Sequence, residues 1–160
     1  MRILGIDPGT GILGFGVIDI SGRSGQPELV DAGVIRTPVK EDDAVRLLTI
    51  YEELTDIIAS NPVQAVSVEK LFFARNVTTA ITVAQARGVV LLCAQQQGIP
   101  IFEYTPMQIK QAITGYGKAD KKQIQEMVRV LLRLKEIPKP DDAADALAAA
   151  ITHSMTMRYA

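Results

Sequence analysis

The stretch that most constrains this chain is its start, Met1 to Gly16, which reads MRILGIDPGTGILGFG. Arg2-Ile3-Leu4-Gly5-Ile6 is a short apolar run of the kind a strand buried on both faces requires. Asp7 stands at its end, Pro8 and Gly9 turn the chain, and a second apolar run from Ile12 to Ile20 follows at once. The two runs therefore read as a hairpin. Gly11, Gly14 and Gly16 are expected to keep side chains away from Asp7. One carboxylate on a rigid central strand, in a pocket so cleared, is suited to holding a metal ion or a phosphate. The plainer use of such an Asp is to cap the turn through its own backbone.

Leu29 to Thr37 reads as a third strand, which completes an antiparallel meander. A helix follows from Asp42 to Ser60, with Leu47, Ile50, Tyr51, Leu54, Ile57 and Ile58 on one face. Val63 to Glu69 is a fourth strand, and Lys70 to Arg75 a loop without periodicity. Asn76 is placed to cap a helix running to Gln97. That helix is apolar on more than one side, so it is either deep core or covered by a partner chain. Ile101 to Tyr104 is a short fifth strand. Thr105 caps a helix over Pro106 to Ile113, and Asp120 with Gln123 forms a capping box for another to Leu134. Asp141 is expected to cap an alanine-rich last helix, which ends at Met157 and is able to approach a sheet closely. A meander followed by helical crossovers predicts an α/β fold, a five-stranded mixed sheet flanked by helices. At 160 residues the chain reads as a single domain, 1–160.

No apolar stretch approaches the roughly 18 residues of a membrane helix, and no secretory leader is seen. The single cysteine, Cys93, reads as a small core side chain and favours a reducing, cytoplasmic setting. The net charge of −1 conceals an asymmetry. Residues 110–139 carry eight basic side chains against three acidic, and the remainder nine against fifteen. Such a basic segment is the footprint of a polyanion partner, or simply a solvated helix face.

Four carboxylates fall where polar groups are unexpected. Asp7 ends the first strand and Glu69 the fourth; Asp142 and Asp145, three apart on the last helix, share a face. If the fourth strand lies beside the first, Asp7 and Glu69 project at one rim, and the alanine-rich helix brings Asp142 and Asp145 over it. Singly, each has an ordinary use, such as an acid at a helix N-terminus. Together they need a cation, and hard oxygen donors select Mg²⁺ or Mn²⁺. His153, the only histidine, is too far along the helix to join them and reads as a satisfied or solvent-facing side chain. There is no P-loop.

The stretches GIDPGTGILGFGVI, SVEKLFFARN, QARGV, IKQAITGYGKADKKQIQ and DDAADALAAAITH, in this order and spacing, resemble the RuvC family of bacterial Holliday-junction resolvases. The resemblance covers essentially the whole chain. It implies a ribonuclease-H-like fold and a divalent-metal-dependent endonuclease that resolves four-way DNA junctions. It further implies that Asp7, Glu69, Asp142 and Asp145 are catalytic and hold Mg²⁺, with Mn²⁺ as a substitute. Phe72 matches the aromatic that such proteins push toward the junction centre, with Phe73 beside it. Lys110 and Lys121 match basic residues beside the active site. Arg75, Asn76, Lys118 and Lys122 are further candidate DNA contacts. A homodimer working with the RuvAB branch-migration complex is implied as well. Three other readings remain open on sequence: an actin-like ATPase or sugar-kinase strand-turn at GIDPGT, a nuclease of this fold acting on ribosomal RNA precursors, and a junction-binding module without catalysis.

Overall fold

The computed structural model of the chain describes residues 1–9, 11–21, 25–70 and 77–157. Phe72, Arg75 and Asn76 lie outside the described residues. Along the chain run β1 (Arg2–Asp7), β2 (Ile12–Asp19), β3 (Glu28–Arg36), α1 (Asp43–Ser60), β4 (Ala65–Glu69), α2 (Val77–Gln96), β5 (Ile101–Tyr104), α3 (Pro106–Thr114), α4 (Lys121–Leu131) and α5 (Asp141–Met157). The strands form one sheet in the order β3-β2-β1-β4-β5. β1–β2 and β2–β3 pair antiparallel, whereas β1–β4 and β4–β5 pair parallel. The expected meander, the mixed sheet and the adjacency of the first and fourth strands are all present.

Side-chain alternation along the strands sorts the core into two layers. Leu4, Ile6, Val66 and Val68 point to one face, where Ile50 and Leu54 of α1 and Val90 and Cys93 of α2 cover them. Ile3, Ala65 and Tyr104 point to the other, against α3, α4 and α5. Cys93 is thus a core side chain, as expected.

On the second face α5 lies almost directly on the backbone of β1 and β2. A Cβ built on Gly5 would stand 1.9 Å from the Ala146 carbonyl oxygen, and one on Gly14 would stand 2.0 Å from that of Asp142. One on Gly16 would meet the Leu147 side chain at 2.6 Å. This corrects the expectation that Gly14 and Gly16 clear an open pocket: the first turns of α5 fill the space they leave. Alanines on α5 and glycines on the strands make a single close-packed interface.

Several boundaries also shift from expectation by one to three residues, and three of them carry a physical reason. Asp141 is the first residue of α5 rather than its cap, so its carboxylate is free to serve elsewhere. The helix α4 ends at Leu131, since Leu132 caps it and Arg133 takes a positive φ of 54°. β4 begins at Ala65, after Gln64 has turned its side-chain oxygen to the Arg2 amide, at 2.7 Å. The capping boxes of Thr105 with Gln108 and of Asp120 with Gln123 are both formed.

Gly5→Ala should lower the free energy of unfolding by about 3 kcal/mol or more, because a backbone carbonyl cannot step aside for the new methyl. Gly11→Ala, whose Cβ would meet nothing closer than 3.8 Å, should change it by less than about 1 kcal/mol. Urea denaturation of the two variants checks the contrast.

Candidate active site

Asp7 has the same parity on β1 as Ile3 and Gly5, and Glu69 the same parity on β4 as Ala65 and Ser67. Both therefore belong to the α5 face. Ile6 pairs with Val68, so the two acids stand at the matching ends of adjacent parallel strands. The first turns of α5, seated on Gly14 and Gly5, bring Asp142 and Asp145 to the same rim. Four carboxylates separated by up to 138 positions in the sequence are gathered there.

Their mutual influence is strong. Burial, then the charges of Glu69, Asp145 and Asp142, push the Asp7 carboxyl up to about 7. Burial and Asp145 raise Glu69, against the opposing pull of Lys110 and Lys121. Burial raises Asp145 too, and Lys121 counters it. Lys121 Nζ lies 3.2 Å from Asp145 and 3.5 Å from Asp141. Its own proton is held more tightly than usual: partial burial opposes this, but Asp145 and Asp141 outweigh it.

A groove of about 270 Å³ opens beside these groups, lined by Glu69, Asp145, Lys110, Lys121, Pro106 and Ile109 among others. Of the four candidate lysines, this groove gathers Lys110 and Lys121. Lys122 lines the opposite flank of α4 with Tyr116, Gln123 and Met127, and Lys118 is exposed on the turn before α4. Asp141 escaped notice in the sequence because a helix-capping role accounted for it. The signal was its spacing of four from Asp145, which places both on the side that meets Lys121.

Among the described residues, no three carboxylates, imidazoles or thiols are gathered closely enough to hold a metal ion unaided; Lys121 is the cation now paired with Asp145. The donor set nonetheless fits a hard divalent ion. It is made wholly of carboxylate oxygens, and beside burial the charges of Glu69, Asp145 and Asp142 raise the Asp7 carboxyl against the single opposing pull of Lys121. His153 stands eight residues beyond Asp145 and takes no part. It is neither solvent-facing nor fully satisfied, but buried, with Nδ1 bonded to the Tyr104 hydroxyl and Nε2 unpartnered.

The family model "Crossover junction endodeoxyribonuclease RuvC" matches residues 3–153. The chain is 57% identical over 154 residues to the crossover junction endodeoxyribonuclease RuvC of Brevibacillus brevis, spanning 96% of this chain and 92% of that relative. The fold superimposes on Thermus thermophilus RuvC solved in complex with a Holliday junction substrate. That match has a TM-score of 0.93 at 39% identity, over 99% of this chain and 96% of the other. The yeast mitochondrial Holliday junction resolvase Ydc2 shares the fold, with a TM-score of 0.68 at 11% identity, over 96% of this chain and 78% of that one.

The raised Asp7 carboxyl has a consequence for stability. An unfolded Asp ionises near its model value of 3.8, and the folded one near 7. Between those values the folded state holds the extra proton, so in chelator stability should fall as pH rises from about 4 to 7 and stay low above it. The loss should be roughly 2–4 kcal/mol. Asp7→Asn should make the profile shallower, leaving the part that the raised Glu69 and Asp145 contribute. Chemical denaturation across pH, with EDTA present, checks both.

Proposed function

The chain belongs to the RuvC family of crossover junction endodeoxyribonucleases, and from that premise we propose that it resolves four-way DNA junctions by divalent-metal-dependent phosphodiester hydrolysis. The observation that carries this reading is the gathering of Asp7, Glu69, Asp142 and Asp145 at one sheet rim, beside a groove that also holds Lys110 and Lys121. We assign the four acids as catalytic metal ligands, with Mg²⁺ as the natural ion and Mn²⁺ as its substitute. The ion, when bound, activates water for attack and stabilises charge on the scissile phosphate.

The protein's own groups divide the remaining work. Asp7 sits on the central strand β1, where the backbone is held on both sides, and so sets the reference point for the other ligands. Its raised carboxyl means that loading the site releases a proton at neutral pH. Lys121 neutralises Asp145 and with Lys110 lines one groove, where the two would form a positive wall against the phosphates of the strand to be cut. Lys118 and Lys122, on the turn and outer flank of α4, are assigned to phosphates farther along an arm. Phe72 is assigned to stacking on unpaired bases near the crossover, with Arg75 and Asn76 as neighbouring DNA contacts; these rest on the sequence motif.

A junction offers two strands related by a two-fold axis, and a C2 homodimer offers two matching sites. The outer face of α2 suits that role. Ile81 and Leu92 are 56% and 55% exposed, and between them lie Ala84 and Gly88, small residues that allow close helix approach. No helix among the described residues is long and apolar enough to cross a membrane. Work on chromosomal DNA in the cytoplasm, alongside the RuvAB branch-migration complex, completes the proposal.

With Mg²⁺, synthetic four-way junctions should be cut and linear duplex of the same sequence left intact. EDTA should stop cleavage. Asp7→Asn should slow it by more than about 100-fold, the scale of losing a transition-state charge contact, with junction affinity in EDTA preserved. Cleavage at the parent rate in either case would overturn the metal assignment. Sedimentation at micromolar concentration should show a dimer, and Leu92→Asp a monomer of unchanged secondary structure. A parent protein that sediments as a monomer, both free and on junction DNA, would remove the dimer.

A further inference from the structure

Asp145, Ala149 and His153 follow one another at four-residue steps on α5, so they form one stripe along the helix. Two hydrogen bonds hold this stripe to the sheet. The buried Ser67 hydroxyl of β4 donates to the Ala149 carbonyl at 2.7 Å, a carbonyl whose partner within the helix is the His153 amide. One turn farther on, the Tyr104 hydroxyl of β5 and His153 Nδ1 are hydrogen-bonded at 2.8 Å. Phe102 stacks on the His153 ring, with centroids 4.0 Å apart and planes inclined by 26°. In the β4–β5 register Ser67 pairs with Phe102, and Glu69 with Tyr104. Ser67 therefore lies two residues before Glu69 on β4, and Tyr104 lies beside Glu69 at the matching end of β5.

Much of the rest of the α5–sheet interface is small-residue packing, Ala146 and Ala150 over Gly5, with Leu147 seated on Gly16 and Ile151 in the same buried layer. Such packing contacts are non-directional and tolerate small shifts of the helix. Hydrogen bonds between fixed atoms do not tolerate that movement. His153 moreover is 1% exposed and leaves its Nε2 without a partner. A buried imidazole half unsatisfied is a poorer packing element than an aliphatic side chain of similar size, so its presence calls for a role other than filling space.

We infer that Ser67, Tyr104 and His153 are positioning residues that lock α5 in register along and about its axis, and so set Asp142 and Asp145 against Asp7 and Glu69. The inference rests on the assignment of those four acids as the metal-holding set. Two substitutions in the full chain test it, Tyr104→Phe and Ser67→Ala, each of which removes one hydroxyl and keeps the rest of the side chain. Ile50→Val, in the core layer on the opposite face, is the control for lost stability alone. Mn²⁺ binding to the DNA-free protein is measured by calorimetry, alongside melting temperature, junction affinity in EDTA, and single-turnover junction cleavage across a Mg²⁺ titration.

Both seam variants should bind Mn²⁺ at least about fivefold more weakly, within the range lost when a ligand's supporting contact is removed. They should need more Mg²⁺ for half-maximal cleavage and keep the parent junction affinity. The control, at a matched loss of melting temperature, should keep parental Mn²⁺ binding. The lock is overturned if both variants bind Mn²⁺ and cleave as the parent does, or if the control weakens Mn²⁺ binding by the same factor. Asp7→Asn separates the two levels. If it binds Mn²⁺ and cuts like the parent, the acid assignment fails and the lock with it. If it is inactive while both seam variants are parental, the lock alone is wrong.

Discussion

The distance between α5 and the strands beneath it governs the rest of the molecule. Glycines at positions 5 and 14 let backbone meet backbone, closer than any pair of ordinary side chains would permit, and Gly16 makes room for Leu147. Without that approach Asp142 and Asp145 would stand a side chain's length above the rim where Asp7 and Glu69 end. The core layers follow from the same constraint. Bulky aliphatics fill the α1–α2 face, where helices stand off at normal spacing, whereas the α5 face is thin where the helix crosses β1 and β2.

Close packing then sets the electrostatics. Drawing four carboxylates out of water and toward one another is unfavourable, and the chain offsets part of the cost with Lys121 and Lys110 rather than by dispersing the acids. The remainder stays in the Asp7 carboxyl, held near neutrality by burial and by its neighbours. Perturbed groups of this kind accumulate at functional sites, and here the perturbation has an identifiable mechanical origin in the glycine face.

Local rules carried much of the fold. Strand parity and the crossover after the meander placed Asp7 beside Glu69, and the spacing of Asp142 and Asp145 put them on one helix face. The capping residues Thr105 and Asp120 were readable because an N-cap and its third neighbour are a local pair. What stayed hidden depends on partners remote in sequence. The role of Gly14 was misjudged because a missing side chain does not reveal what occupies the space, and Asp142 of α5, which fills it, is 128 positions away. His153 looked like an ordinary surface or core histidine because the tyrosine that bonds it is 49 residues earlier. Asp141 was read as a cap because its true partner, Lys121, belongs to another helix. The division of the lysines between the two flanks of α4 likewise depends on how that helix is rolled against α3 and α5, which charge counting does not disclose.

That the acids come from β1, β4 and α5 bears on how a nuclease is kept harmless while it is being made. Asp7 leaves the ribosome early and Glu69 next, but the rim they share has only half its charge until α5 has been synthesised and docked. On the assignment proposed above, a nascent or truncated chain lacking that helix would own a sheet edge and two lysine-bearing helices, but only half of the four acids. Docking in turn requires the strands to be paired correctly, since the glycine groove exists only across β1 and β2 together. Competence to break a phosphodiester is thereby made contingent on completed folding.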